Sequence, residues 1–343
     1  MKILFAGGDV GGARCLTPVA EACIAAGMDV RLVDHGAVKA EWRGDAARLV
    51  PADSVADPDC LVFSSSVADG YALALARAMA GRGVPVIHLL DHWSSYRARM
   101  LTDGGELFQP TIYTALDERA RREALADGIS VESLLVVGQP ALHDLAVRAE
   151  DAPCAVPPRV LFVGEPVLRD QGGDDSYPLF RGYTEFDAID WFAGAIASAD
   201  VTVLLLPHPR QPAGELLAAW RKAGHGVAAE LAAPSRRGRD HFGEIEGVAG
   251  MASMLLYEGW LYGLPVLSVQ PLRRRPYLDC LAGRKGAWLV DHPAQLDVAA
   301  AGWLRALRDP VRSGEAFEER QRHVEAPGTM VEVIRNCVSG GSK

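Results

Sequence analysis

The chain has 343 residues, 49% of them hydrophobic and 23% charged, with a formal net charge of −9. That is ordinary globular composition, long enough for two domains, and it excludes an extended disordered protein. The acidic balance also argues against nucleic-acid binding, which needs a basic surface for its phosphate contacts.

Taken in chain order, Lys2–Ala6 reads as a strand, followed by a Gly-rich turn and a helix from about Ala13 to Ala26 that Gly27 would cap. Val30–Asp34 and Cys60–Ser64 are the next strands, with an Ala-rich helix over Tyr71–Ala80. The unbroken apolar run Val84–Leu90 suits a strand buried on both faces. Thr111–Ala115 and Leu134–Val137 complete a βαβ rhythm, which implies a parallel, doubly wound sheet. Glu150–Arg159, with its three prolines, reads as a linker. The rhythm then restarts with strands at Val160–Gly164 and Val201–Leu206 around a helix at Phe186–Ala199. A helix at Met254–Tyr262 and strands at Val266–Val269 and Ala287–Val290 follow. The expected architecture is α/β: two facing Rossmann-like domains, 1–150 and 151–343, with the ligand between them. The last helix is allowed to pack back on the first domain.

The six cysteines form no C-x-x-C pair and no Cys/His cluster at metal spacing, so no metal site is expected and buried thiols of a reducing compartment are. No targeting segment is evident, and no stretch approaches the roughly eighteen apolar residues of a membrane span. A cytoplasmic protein is the expectation.

Chemistry-bearing residues gather at the carboxyl ends of the expected strands, where open α/β sheets place their ligands. Leu204-Leu205-Leu206-Pro207-His208-Pro209-Arg210 ends a strand in an imidazole and a guanidinium, groups that suit a nucleotide phosphate; a surface histidine after a stopped strand is the alternative. Gly7-Gly8-Asp9-Val10-Gly11-Gly12 joins the first strand to the first helix. Its glycines Gly8, Gly11 and Gly12 permit a tight turn facing a substrate, or serve chain geometry only. Asp9 and Val10 break the dinucleotide G-x-G-x-x-G spacing, although Asp34 ends the second strand where a ribose-binding acid would lie. Asp91, after the fourth strand, is placed as a general base or as a helix N-cap. Asp69 is a second candidate with the same two readings. Val137-Gly138-Gln139-Pro140 precedes His143, a substrate contact or part of a turn. Glu165 follows the strand that opens the second half, and the polar loop from Gly172 to Tyr183 is long enough to close over a nucleotide. Gly250-Met251-Ala252-Ser253 starts a helix whose N–H groups and Ser253 hydroxyl would meet a phosphate, with Glu258 in reach of a ribose. Arg273-Arg274-Arg275 would neutralise phosphates or form a solvated loop.

In their order along nearly the whole chain, these pieces resemble the GT-B superfamily of nucleotide-sugar enzymes. The first loop is similar to that of the GT-B transferase that completes the lipid-linked peptidoglycan precursor. Leu161-Phe162-Val163-Gly164-Glu165-Pro166, Gly182–Glu185 and His208-Pro209 resemble bacterial sialyltransferases and polysialyltransferases of capsule and lipooligosaccharide synthesis. That resemblance implies His208 on the donor phosphate and Ser253 downstream. Of the family's acidic motif only Asp91 matches, since His92 and Trp93 stand where an acid and a glycine would be. Val137-Gly138-Gln139-Pro140 to Leu145 and Arg275-Pro276 are similar instead to the hydrolysing UDP-N-acetylglucosamine 2-epimerases. There the family's Asp-Ser-Gly-Gly reads Gly250-Met251-Ala252-Ser253, and the acid after Arg-Pro is Tyr277.

The resemblances imply a metal-independent glycosyltransferase of surface-polysaccharide synthesis that moves sugar from a CMP- or UDP-linked donor to a glycan or lipid-linked acceptor. No cofactor is expected, because the nucleotide sugar is a substrate, and a lipid-linked acceptor would bring a peripheral membrane association. Asp91 would be the base with Asp69 in reserve, and His208 would act on the leaving phosphate. Gly8, Gly11, Gly12, Glu165, Pro209, Arg210, Gly250, Ser253, Glu258 and Arg275 would line the substrate. A nucleotide-sugar 2-epimerase or hydrolase, or a non-catalytic binding protein on the same fold, are the alternatives.

Overall fold

The computed structural model describes residues 1–51, 57–148, 155–223, 225–274, 280–309 and 313–340. The chain divides into two compact units, Met1–Asp144 with Glu319–Lys343, and Leu145–Glu318.

The first unit runs β1 (Lys2–Ala6), α1 (Val10–Ala25), β2 (Asp29–Val33), α2 (Val38–Glu41), β3 (Leu49–Val50), β4 (Cys60–Phe63), α3 (Tyr71–Gly81), β5 (Val86–His88), β6 (Ile112–Ala115), α4 (Glu118–Ala126) and β7 (Leu134–Val136). Its strands pair in parallel in the order β3-β2-β1-β4-β5-β6-β7. Ile3, Leu4, Phe5 and Ala6 are fully buried, as are Cys60, Leu61, Val62 and Phe63. Burial on both faces is why these strands read as unbroken apolar runs. The first helix begins at Val10, earlier than the expected Ala13. Asp9 caps it by accepting the Gly12 N–H at 2.7 Å, which draws Gly11 and Gly12 into the first turn. Gly27, with φ of +80°, follows the last turn and terminates it.

The second unit runs β8 (Arg159–Val163), α5 (Val167–Gln171), α6 (Glu185–Ala195), β9 (Thr202–Leu206), α7 (Ala213–Ala223), β10 (Ala229–Leu231), β11 (Gly247–Gly250), α8 (Met254–Tyr262), β12 (Val266–Val269), β13 (Ala287–Val290) and α9 (Pro293–Arg308). These strands are also parallel, ordered β10-β9-β8-β11-β12-β13. An aromatic core forms on one face, with the Phe162 and Phe192 rings 5.1 Å apart and Phe192 5.8 Å from Trp303. Of the expected linker, 150–154 lie outside the described residues, and Arg159 already opens β8.

The final helix, α10 (Gly314–Gly340), places Met330, Val331 and Ile334 in the core of the first unit together with Leu16, Val19 and Cys23 of α1. Among the described residues, no helix is long and apolar enough to cross a membrane. A surface hollow of about 570 Å³, lined by Pro158, Asp200, Arg305 and Arg308, lies at the amino-terminal ends of β8 and β9, away from the strand tips that carry the polar groups.

Candidate functional site

In the first sheet the strand order reverses between β1 and β4, and the loops leaving their carboxyl ends flank the resulting crevice. β1 delivers Gly7-Gly8-Asp9, β4 delivers Ser64-Ser65-Ser66, and β5 delivers Leu89-Leu90-Asp91. The glycines are bare because polar side chains press on them. A Cβ on Gly8 would stand 1.6 Å from Asp69 Oδ2, and one on Gly11 would stand 2.4 Å from Asp91 Oδ2. On Gly12 it would meet Ser64 Oγ at 2.7 Å and Asp9 Oδ1 at 2.8 Å. The structure thus gathers Gly8, Gly11, Gly12, Asp69 and Asp91 at one place, and adds Asp9 and Ser64 to them.

The three carboxylates are held differently. Asp91 Oδ1 accepts from Arg99 Nη1 at 2.5 Å in a buried ion pair, and Arg99 also donates to the carbonyls of Ser65 at 3.0 Å and Ser94 at 3.1 Å. Asp91 caps no helix, so of its two expected roles the N-cap is set aside. Gln139 Nε2 donates to the Asp91 carbonyl at 2.5 Å and so fixes the backbone there. Asp69 Oδ2 lies 2.8 Å from His35 Nε2, and its Oδ1 accepts the Tyr71 N–H at 2.9 Å at the start of α3. The His35 ring stacks on Tyr71 with centroids 4.0 Å apart. Asp9 is raised above the ordinary 3.8 by burial first and by the facing Asp91 charge second, against the Gly12 N–H and Arg99. His143 turns its Nδ1 to the Pro140 carbonyl at 2.9 Å and serves the turn.

In the second sheet the order reverses between β8 and β11, and the tips of β8, β9 and β11 carry Glu165, His208 and Ser253. Glu165 Oε1 accepts the Ala252 N–H at 2.7 Å just before α8, while Arg181 Nη1 approaches its Oε2 at 3.3 Å. Ser253 is the N-cap of α8, its Oγ accepting the Leu255 N–H at 3.3 Å. Burial first, and then the Arg210 charge, hold the His208 imidazole below its usual 6.5. The Arg210 N–H donates to His208 Nδ1 at 3.2 Å, so the neutral ring keeps its proton on Nε2 as an outward donor. Pro209 holds that short turn between them.

Several expected ligand-binding side chains have protein partners instead. Arg210 forms a two-pronged pair with Asp170 at 2.7 and 2.6 Å while remaining 57% exposed. Glu258 accepts from Arg239 Nε at 2.6 Å. Gly250 corrects the expected turn. It is the last residue of β11, where a Cβ would crowd the Val163 carbonyl at 3.0 Å and Leu256 Cδ1 at 3.1 Å, so its bareness serves sheet packing. Arg273 pairs with Asp291 at 2.8 Å and Arg274 pairs with Asp175, so neither is a free phosphate ligand; Arg275 lies outside the described residues. The Gly172–Tyr183 loop is not a free lid at its far end. Tyr183 is buried, with its phenol pushed up to about 12 by that burial, and the Arg181 carbonyl accepts the Arg274 N–H at 2.8 Å. Among the described residues no group of three His, Cys, Asp or Glu side chains is arranged to hold a metal ion.

Asp9, His35 and Arg99 escaped the reading of the sequence. Asp9 carried a usable signal, being an aspartate immediately before a helix. His35 carried none, because its partner Asp69 lies 34 residues away in sequence, and Arg99, though only eight residues from Asp91, stands in no motif that marks the pair.

No protein-family model matches this sequence, and no curated protein matches it either. Solved structures do. A UDP-GlcNAc 2-epimerase from Methanocaldococcus jannaschii superposes over 98% of this chain and 99% of its own, at 13% identity and a TM-score of 0.62. The fold is GT-B. HepE from Anabaena, in complex with UDP, covers 99% of this chain and 100% of its own at 14% identity and a TM-score of 0.61. The lipopolysaccharide outer core galactosyltransferase WaaB covers 99% of each at 14% identity and a TM-score of 0.58. At these identities the likeness is one of fold.

Proposed function

We propose that this chain is a UDP-sugar enzyme that breaks the bond between the anomeric carbon and the β-phosphate, in the manner of a hydrolysing nucleotide-sugar epimerase. The observation that carries this reading is the set of groups at the tips of β8, β9 and β11: the His208 Nε2–H and the amino terminus of α8, with the Arg210 guanidinium beside them although Asp170 holds both of its terminal nitrogens. Each favours an anion, and each can stabilise the charge that grows on the diphosphate as the C–O bond lengthens. The full-length likeness to a UDP-GlcNAc 2-epimerase and to a UDP-bound protein supports uridine over cytidine as the base.

Glycosyl transfer is the second reading, favoured by the likeness to WaaB and by Gly250-Met251-Ala252-Ser253 and Tyr277 where the epimerases carry other residues. The two separate on acceptor dependence. With a panel of UDP-sugars and no acceptor, an epimerase or hydrolase releases UDP or interconverts epimers, whereas a transferase releases UDP only when a glycan hydroxyl is supplied. Absence of both, together with no rise in melting temperature on adding UDP, refutes the proposal.

A further inference from the structure

At the amino-terminal end of β4, opposite the strand tips described above, the first unit brings two thiols together. Cys60 opens β4 in register with Ile3 of β1, and with Val62 it joins the core that also holds Cys23 of α1 and Met330 and Ile334 of α10. Met330, Ile334 and Cys337 follow one another at the i, i+4, i+7 spacing of one helix face, and Cys337 packs against that same core. The Cys60 and Cys337 side chains are hydrogen-bonded to each other, although most of the chain lies between them in sequence. The pair is asymmetric. Cys60 is fully buried, and its bond to Cys337 and its burial hold the thiol well above the ordinary 9.0. Cys337 is half-buried, and the same bond lowers its thiol from 9.0. Cys60 is therefore the S–H donor, and Cys337 is the sulfur with the greater thiolate character and the better access to solvent. Cys23, in the same core, is pushed up to about 12 by burial and is the poorer nucleophile.

We propose that Cys337 and Cys60 form a peroxide-responsive thiol pair whose disulfide fastens the end of α10 to the first sheet. The pair lies within one unit, and its chemistry is independent of the UDP-sugar reading. Hydrogen peroxide is small enough to reach a half-buried sulfur, whereas oxidised glutathione would have to bring a tripeptide to it. In the first step the Cys337 thiolate attacks one peroxide oxygen. The O–O bond breaks, hydroxide leaves and takes up the proton that Cys337 released, and Cys337 becomes the sulfenic acid. In the second step the Cys60 sulfur attacks the Cys337 sulfur. The S–O bond breaks, and the departing hydroxide leaves as water with the Cys60 proton. Two thiols are oxidised by two electrons in all, one peroxide is reduced by two, and the products are one disulfide and two waters. The new bond closes a loop holding most of the chain. It therefore restricts the unfolded chain far more than the native one, in which the two side chains already meet.

The test treats the full, reduced chain with hydrogen peroxide and follows free-thiol content, non-reducing peptide maps and melting temperature. The wild type is expected to lose two thiols, to yield a linked Cys60–Cys337 peptide, and to melt at least ~3 °C higher, with dithiothreitol reversing all three. Cys337→Ser, a change at a half-buried position, should form no disulfide and show no shift. Cys60→Ser should stop at the sulfenic acid on Cys337, which dimedone traps. If Cys60→Ser fails to fold, the wild type and Cys337→Ser decide the matter alone. Three results overturn the proposal: no linked peptide under peroxide that fully oxidises free glutathione in the same solution, a disulfide that pairs either residue with another cysteine, or a Cys60–Cys337 disulfide that leaves the melting temperature unchanged.

Discussion

Arg99→Met deletes three hydrogen bonds from the first unit while refilling much of the space the side chain occupied. The bonds lost are to Asp91 Oδ1 at 2.5 Å and to the carbonyls of Ser65 and Ser94 at 3.0 and 3.1 Å. Two neutral acceptors at about 1 kcal/mol each, and one charged acceptor at about 1.5–3 kcal/mol, sum to about 4 kcal/mol. The same range, about 3–5 kcal/mol, follows from treating the change as deletion of one partner from a buried ion pair, since Arg99 is 6% and Asp91 11% exposed. Much of that cost is the orphaned Asp91 charge, left facing Asp9. The double variant Arg99→Met/Asp91→Asn is therefore expected to recover at least about 1 kcal/mol relative to the sum of the single changes. Urea unfolding near neutral pH, followed by tryptophan fluorescence, measures all four proteins. A cost below about 1 kcal/mol for Arg99→Met, or strict additivity in the double variant, would refute the claim that this arginine neutralises the site.

Gly182→Ala is expected to lower the melting temperature, because φ there is +100° and the new Cβ would stand 2.6 Å from the Leu272 carbonyl. Gly214→Ala, in α7 where a Cβ meets nothing within 4 Å, should be neutral or stabilising by up to about 1 kcal/mol in the same thermal scan. His88 is fully buried, and burial first and Arg99 second hold it well below 6.5. The unfolded chain gains this proton near 6.5 and the native chain does not, so its contribution to stability is complete above that pH and is lost as pH falls below it. His88→Gln should flatten that acid-side slope in urea titrations, and an unchanged slope would exclude His88 as its source. Arg210→Ala should alter stability by less than about 1 kcal/mol, since its pair with Asp170 is exposed, yet weaken the stabilisation that UDP confers. An undiminished UDP shift would remove Arg210 from the phosphate site.

Where apolar runs are unbroken the fold was legible almost residue by residue. Lys2–Ala6, Val266–Val269 and Ala287–Val290 are strands, and Met254–Tyr262 is a helix, within the bounds their apolar runs indicate. The run 84–90 keeps only Val86–His88 as strand, because Leu89 and Leu90 pass beyond the last partners on β4 and β6 while remaining buried. β11 was hidden because Gly247-Val248-Ala249-Gly250 has two glycines in four residues. Its glycines are there to fit Trp303 and Leu307 at one end and Val163 and Leu256 at the other. At the site, strand ends pointed to Asp69, Asp91, His208 and Ser253 because a parallel sheet releases its side chains there. The pairing of those groups was not legible. Arg99 on Asp91, His35 on Asp69, Arg239 on Glu258 and Asp170 on Arg210 are contacts made by tertiary folding, and no local period encodes them.

Calorimetric titration of UDP into the wild type and into folded His208→Ala tests the central claim most directly, because it asks whether the tips of β8, β9 and β11 hold a nucleotide diphosphate. Saturable binding by the wild type, weakened at least ~10-fold in the variant, is the predicted result. No binding by the wild type, or equal binding by both, would contradict the account.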